Sequence, residues 1–173
     1  MPGVMVLAYG LMHSMSLPLP TLQIPVWAGL VVSLMFLVFF IGALGEELGW
    51  SGYVTDPMQA RWSALQASIL LGLVWGAWHI IPYLQAHRSA EWIAWYCLFT
   101  VATRVLMVWL YNNTGKSVFG AALFHAMVNV SWFPFPNSGL QYDPRITGII
   151  AAFAAVIVTV VWGHRTLARY RYA

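Results

Sequence analysis

The sequence predicts an all-α protein, a polytopic transmembrane helix bundle of five to six spans with a polar site inside the membrane. Three observations carry that reading. Of 173 residues, 61% are hydrophobic and 8% are charged, whereas soluble domains carry about 25% charged residues. A soluble fold could not hide so much apolar surface, so the bilayer must be the solvent. There the backbone has to satisfy its own hydrogen bonds, which leaves helices or closed barrels. The apolar residues also run continuously, as in helices, and do not alternate, as in half-buried strands.

A helix needs about 20 residues to cross the hydrocarbon. Apolar runs of this kind cover residues 26–44, 63–81, 92–111, 117–133 and 146–162. A sixth run, residues 5–17, is short and closed by Pro18 and Pro20. Between the runs, Thr55-Asp56-Pro57, Pro82, Asn112-Asn113-Thr114-Gly115 and residues 134–144 are expected to stop helices, through missing donors or permissive backbone. No internal repeat or low-complexity stretch is evident, so one membrane-embedded domain over residues 1–173 is the economical organisation. The opening MPGVMVLAYG lacks the basic start of a cleavable signal peptide.

The net charge of +3 is scattered, which gives no support to nucleic-acid binding. The single cysteine, Cys97, excludes an internal disulfide and a cysteine zinc cluster. Lysine and arginine set the expected orientation. Arg165, Arg169 and Arg171 in the tail would lie in the cytoplasm with Lys116 and Arg61, leaving Arg88 and Arg145 outside. The basic tail is expected to anchor the last span at the lipid headgroups. Tryptophans near span ends fit an aromatic belt.

The polar residues left at membrane depth are Glu46, Glu47, His79, Arg104, His125 and Asn129. Each is costly in lipid unless it is paired or faces a wet cavity. His125 and Asn129 share a helical face one turn apart, about 15 Å from Lys116 at the usual rise. Trp75 and Trp78 flank His79 and read as packing or belt residues. Adjacent helix positions point about 100° apart, so only one of Glu46 and Glu47 can aim at a given point. A hairpin centred near Arg61 would bring Glu46 and His79 to one height; a turn at Asp56-Pro57 would not.

This set has the parts of a hydrolase acting on an amide bond. A carboxylate can take a proton from water, and a neutral histidine can orient that water or return the proton. A second histidine and an asparagine amide can donate to a developing oxyanion. The same groups, Glu46, His79 and His125, could alternatively hold a divalent metal such as zinc, which would acidify its bound water. The H-E-x-x-H motif is absent, so a metal site would have to be assembled from distant segments.

GEELGWSGY, WGAWHIIPY and LFHAMVN, in that order over residues 30–132, resemble the motifs of the CAAX-protease and bacteriocin-processing family of intramembrane proteases. That family includes the type II CAAX prenyl endopeptidases and the Abi-like bacterial proteins. Its patterns E-E-x-x-x-R, F-x-x-x-H and H-x-x-x-N/D fall on Glu46-Glu47, on His79, and on His125 with Asn129. The resemblance implies a helical membrane bundle, commonly with more spans than this chain offers, that hydrolyses a peptide inside a membrane cavity. It implies that Glu46 activates water beside His79, that His125 and Asn129 stabilise the oxyanion, and that Glu47 supports its neighbour. The implied partners are the bilayer and a peptide or protein substrate, lipidated or not, in a bacterial plasma membrane.

Two positions depart from the pattern. Ser51 stands where the first motif has arginine, and Trp75 where the second has phenylalanine. The first removes a cation beside two carboxylates, and Arg104 could replace it. The shortfall in spans lies at the N-terminus, as in a truncated or degenerate member.

Other signals carry less. Gly115-Lys116-Ser117 lacks the earlier glycine of a phosphate-binding loop, which is Leu110 here. The sequons at Asn112 and Asn129 fall in a cytoplasmic loop and in a span. Two rival functions stay open on the sequence: a catalytically inactive member that binds peptides or serves in bacteriocin immunity, and a proton- or ion-coupled transporter. The repeat symmetry of many transporters is not visible.

Overall fold

In the computed structural model, which describes residues 2–17, 19, 28–132 and 143–169, every regular element is helical. The order is α1 (Pro2–Ser14), α2 (Ala28–Gly49), a π turn (Trp50–Val54), α3 (Thr55–Gln59), α4 (Ala64–Gln85), α5 (Ala90–Asn113), α6 (Val118–Trp132) and α7 (Pro144–Trp162). Four spans are long and apolar enough to cross a membrane: Val31–Gln59, Ala64–Gln85, Ala90–Asn113 and Pro144–Trp162. The run expected over residues 117–133 forms α6, which covers Val118–Trp132 among the described residues. The protein is thus a polytopic helical membrane bundle, with four long spans and shorter apolar helices among the described residues.

The helix starts follow local chemistry. Ser63 and Gln66 form a reciprocal capping box at α4. The Ser89 hydroxyl accepts the Trp92 amide at the start of α5, and Asp143 accepts the Arg145 amide ahead of Pro144 in α7. At the other ends, Gly115 (φ 65°) and Gly163 (φ 81°) take the left-handed backbone that glycine tolerates.

Two of the expected stops do not act as stops. Pro82 lies inside α4, and the ladder continues past it with the Ala86 amide donating to the Pro82 carbonyl. Thr55-Asp56-Pro57 also lies within one continuous span. The reason is the π turn: the Thr55 amide donates to the carbonyl of Trp50, five residues back, so the helical register restarts there. Pro57 then falls in the first turn of α3, where its missing N–H costs little. The chain reverses at residues 60–63 instead, near Arg61. Asn112-Asn113-Thr114-Gly115 does end α5. Residues 133–142 lie outside the described residues.

Helix α5 is central, packing along α4 on one side and α7 on the other and touching α6; α2 packs on α6. The core cluster is built mainly from α5 and α7, with Phe99, Val105, Val108, Ala151 and Ala155. Outward side chains such as Ile41, Trp78, Phe153 and Val160 are exposed, as lipid-facing residues must be. Trp78 is therefore a surface residue, while Trp75 is buried. The tail after α7 does more than meet headgroups. The Ala64 and Leu65 amides donate to the Arg165 and His164 carbonyls, and Asn112 and Asn113 donate to the carbonyls of Thr166 and Leu167.

Helices α4 and α5 approach closely at Gly72, where a Cβ would lie 2.8 Å from Val101 Cα and 3.2 Å from Arg104 Cβ. Gly72→Ala should therefore cost about 1–3 kcal/mol by overpacking, or about 2–4 °C of melting temperature per kcal/mol in a chain this size. Gly42→Ala, with nothing within 4 Å, should leave the melting temperature unchanged or raised. Thermal unfolding of both in one detergent checks the pair.

Candidate functional site

The two glutamates part company in space. Glu46 is exposed and Glu47 is fully buried, as the rotation between adjacent helix positions requires. Their height along α2 is near the membrane centre, about 18 Å from Gln59 at the helical rise.

Both oxygens of Glu47 are saturated. Arg104 of α5 grips it in bidentate fashion, Nη1 to Oε2 at 2.8 Å and Nη2 to Oε1 at 3.0 Å. His125 Nδ1 lies 3.1 Å from Oε1, and Ser51 Oγ donates to Oε2. Arg104, like Glu47, has no exposed surface. A bidentate guanidinium holds the carboxylate ionised. The position that departs from the motif thus still serves the carboxylate: Ser51 offers a hydroxyl, and Arg104 supplies the cation from another helix.

Trp75 joins the other groups. Its indole Nε1–H donates to Glu46 Oε2 at 3.0 Å, and the Arg104 guanidinium sits 4.4 Å from its ring centroid. Its ring meets His125 edge-on at 4.9 Å and His79 at 5.7 Å. Its carbonyl lies 2.8 Å from His79 Nδ1. A carbonyl and an ionised carboxylate only accept, so both histidines carry their proton on Nδ1 and present Nε2. Tyr83 and Tyr96 flank His79 at 6.3 and 6.2 Å.

The structure therefore gathers Glu46, Glu47, His79 and His125 around Trp75 and Arg104. Asn129 is half-buried one turn beyond His125 and has no hydrogen-bond partner among the described residues. Among the described residues no three His, Cys, Asp or Glu side chains converge for an ion. His125 and Glu46 instead have polar neighbours of their own in Glu47 and Trp75. Reading Trp75 as packing missed its role. The available signal was its N–H, which a buried indole must place on an acceptor.

Arg104→Met should leave Glu47 as a buried, uncompensated charge and cost about 3–5 kcal/mol. Adding Glu47→Gln removes that charge, so the double variant should melt above Arg104→Met alone. Equal melting temperatures for Arg104→Met and the parent protein would show that the pair carries no structural weight.

Comparison with known proteins identifies the family. Residues 27–131 match the family model for type II CAAX prenyl endopeptidase Rce1-like proteins. The chain is 30% identical over 138 residues to CAAX prenyl protease 2 of Methanococcus maripaludis, an alignment covering 73% of this chain and 49% of that protein. It spans about half the length of that relative. With the matched segment running through all three motifs, from the glutamate pair on α2 to the histidine and asparagine on α6, the chain belongs to the Rce1-like type II CAAX prenyl endopeptidase family.

Proposed function

We propose that the protein is an intramembrane endopeptidase in which Glu46 activates a water molecule against a peptide bond. The observation that carries this reading is the asymmetry of the glutamate pair. Glu47 has both oxygens engaged and no exposure, whereas Glu46 is exposed and accepts one hydrogen bond among the described residues, from Trp75. Only Glu46 retains an oxygen open to a water.

The steps follow from the donors and acceptors. Glu46 takes the proton of the attacking water, and the Trp75 indole fixes the carboxylate. His79, with Nδ1–H on the Trp75 carbonyl, presents Nε2 to orient that water or to relay the proton to the leaving amine. Asn129 supplies amide N–H donors to the oxyanion. His125, whose Nδ1 proton is on Glu47, joins as an oxyanion donor through Nε2 when that nitrogen carries a proton. Every step is assigned here to these side chains.

The substrate class that the family suggests is a peptide or protein, with lipidation as an additional feature. Membrane orientation follows the charges. Arg61, Lys116, Arg165 and Arg169 gather at one end with Asp56, whereas Arg145 at the other end pairs with Asp143 and Glu91. The basic end, with the C-terminal tail, is assigned to the cytoplasm.

Incubation of the purified protein with a peptide library tests the activity. The parent protein should cleave, and Glu46→Ala and His125→Ala should not. Absence of cleavage by the folded parent protein, or cleavage retained in Glu46→Ala, overturns the reading. Trp75→Phe keeps the ring and loses the bond to a charged oxygen, a loss of about 1.5–3 kcal/mol. Its cleavage rate should fall about tenfold or more, with the fold intact by circular dichroism.

A further inference from the structure

A second feature lies away from the polar site, on the outer face of the bundle. Helices α4, α5 and α7 leave a groove of about 330 Å³ between them, lined by Leu65 and Ile69, Val105, and Ala155, Val156 and Val160 among others. Val156 and Val160 are largely exposed, so the groove opens to the hydrocarbon. Along α7 its lining runs from Ala152 to Val160, about 12 Å at the helical rise. That is close to the roughly 15 Å of hydrocarbon in one leaflet.

The groove continues into a polar mouth. Leu65 also lines a neighbouring cavity of about 550 Å³ with Ser63, Gln66, His164 and Arg165. Val156 and Val160 follow one another at single-turn spacing on α7, and Leu65, which lines both cavities, joins the apolar lining to the charged one. The mouth is built and held in place: the Arg165 and His164 carbonyls accept the Ala64 and Leu65 amides at 2.9 and 3.1 Å. Those amides are thereby used up, and Ser63 and Gln66 bond to each other. The His164 and Arg165 side chains are exposed and have no hydrogen-bond or ion-pair partner among the described residues. By contrast Lys116 pairs with Asp56, and Arg169 lies over the Trp162 ring.

We propose that this groove is a binding site for one anionic phospholipid, its acyl chain between α4, α5 and α7 and its headgroup on Arg165 and His164. An apolar slot of one-leaflet length calls for a hydrocarbon chain, and an unpaired guanidinium at its mouth selects negative charge. A basic side chain at the membrane surface favours an anionic lipid by about fivefold. The inference is independent of the peptidase reading.

Native mass spectrometry of the full chain, released from nanodiscs of phosphatidylcholine with a minor share of phosphatidylglycerol, reads the site directly. The parent protein should retain one phosphatidylglycerol in preference to phosphatidylcholine, about fivefold or more after correction for composition. His164→Gln with Arg165→Gln should abolish the preference. Val156→Trp, a change at an exposed position that fills the groove, should lose the retained lipid. Arg169→Gln should leave retention unchanged. Circular dichroism establishes that each variant is folded. Equal retention of the two lipids by the parent protein overturns the proposal. So does an equal loss in Arg169→Gln, which would mark diffuse surface attraction, or full retention in Val156→Trp.

Discussion

The ion pair between Glu47 and Arg104 is the constraint on which the site depends. Both groups are fully buried at the centre of a membrane bundle, where a lone charge is among the costliest features a helix can carry. The bidentate geometry, together with Ser51 and His125, satisfies both carboxylate oxygens. Four segments are thereby fixed to one another: α2, the π turn, α5 and α6. The link across the bundle matters because α2 packs mainly on α6, whereas α5 packs on α4 and α7. The carboxylate is the polar bolt between these two groups of helices.

What the pair fixes also separates two chemically identical neighbours. With Glu47 turned inward, Glu46 must point elsewhere, and it meets the Trp75 indole. Trp75 in turn sets the tautomer of His79 through its carbonyl and packs edge-on against His125. One aromatic residue therefore orients one carboxylate and touches both imidazoles. The close approach at Gly72 lets α5 bring Arg104 over the same ring. The side chains of the proposed mechanism are thus held by helices, and positioning of that kind is what a hydrolytic site requires.

Much of this was legible in the sequence. The all-helical membrane fold follows from apolar runs and few charges, and the three short motifs name Glu46, Glu47, His79, His125 and Asn129 without a structure. Arg104 stood out as an arginine in mid-span, but its partner depends on the register between α2 and α5, which no local pattern encodes. The π turn was invisible because i to i−5 bonding has no residue signature, and so Pro57 read as a stop. Pro82 misled for a related reason: in a long apolar helix one missing donor does not outweigh packing on α5. The tail was legible as basic, but its carbonyl caps on α4 were not, since they are backbone bonds.

The central claim is that Glu46 is free to react while Glu47 holds the bundle together, and the two glutamines test it side by side. Thermal unfolding of Glu46→Gln and Glu47→Gln, in the same detergent as the parent protein, reads the difference. The account predicts an unchanged melting temperature for Glu46→Gln and a fall of several degrees for Glu47→Gln, since the latter leaves Arg104 buried without its anion. The reverse order, or equal melting temperatures, would contradict it.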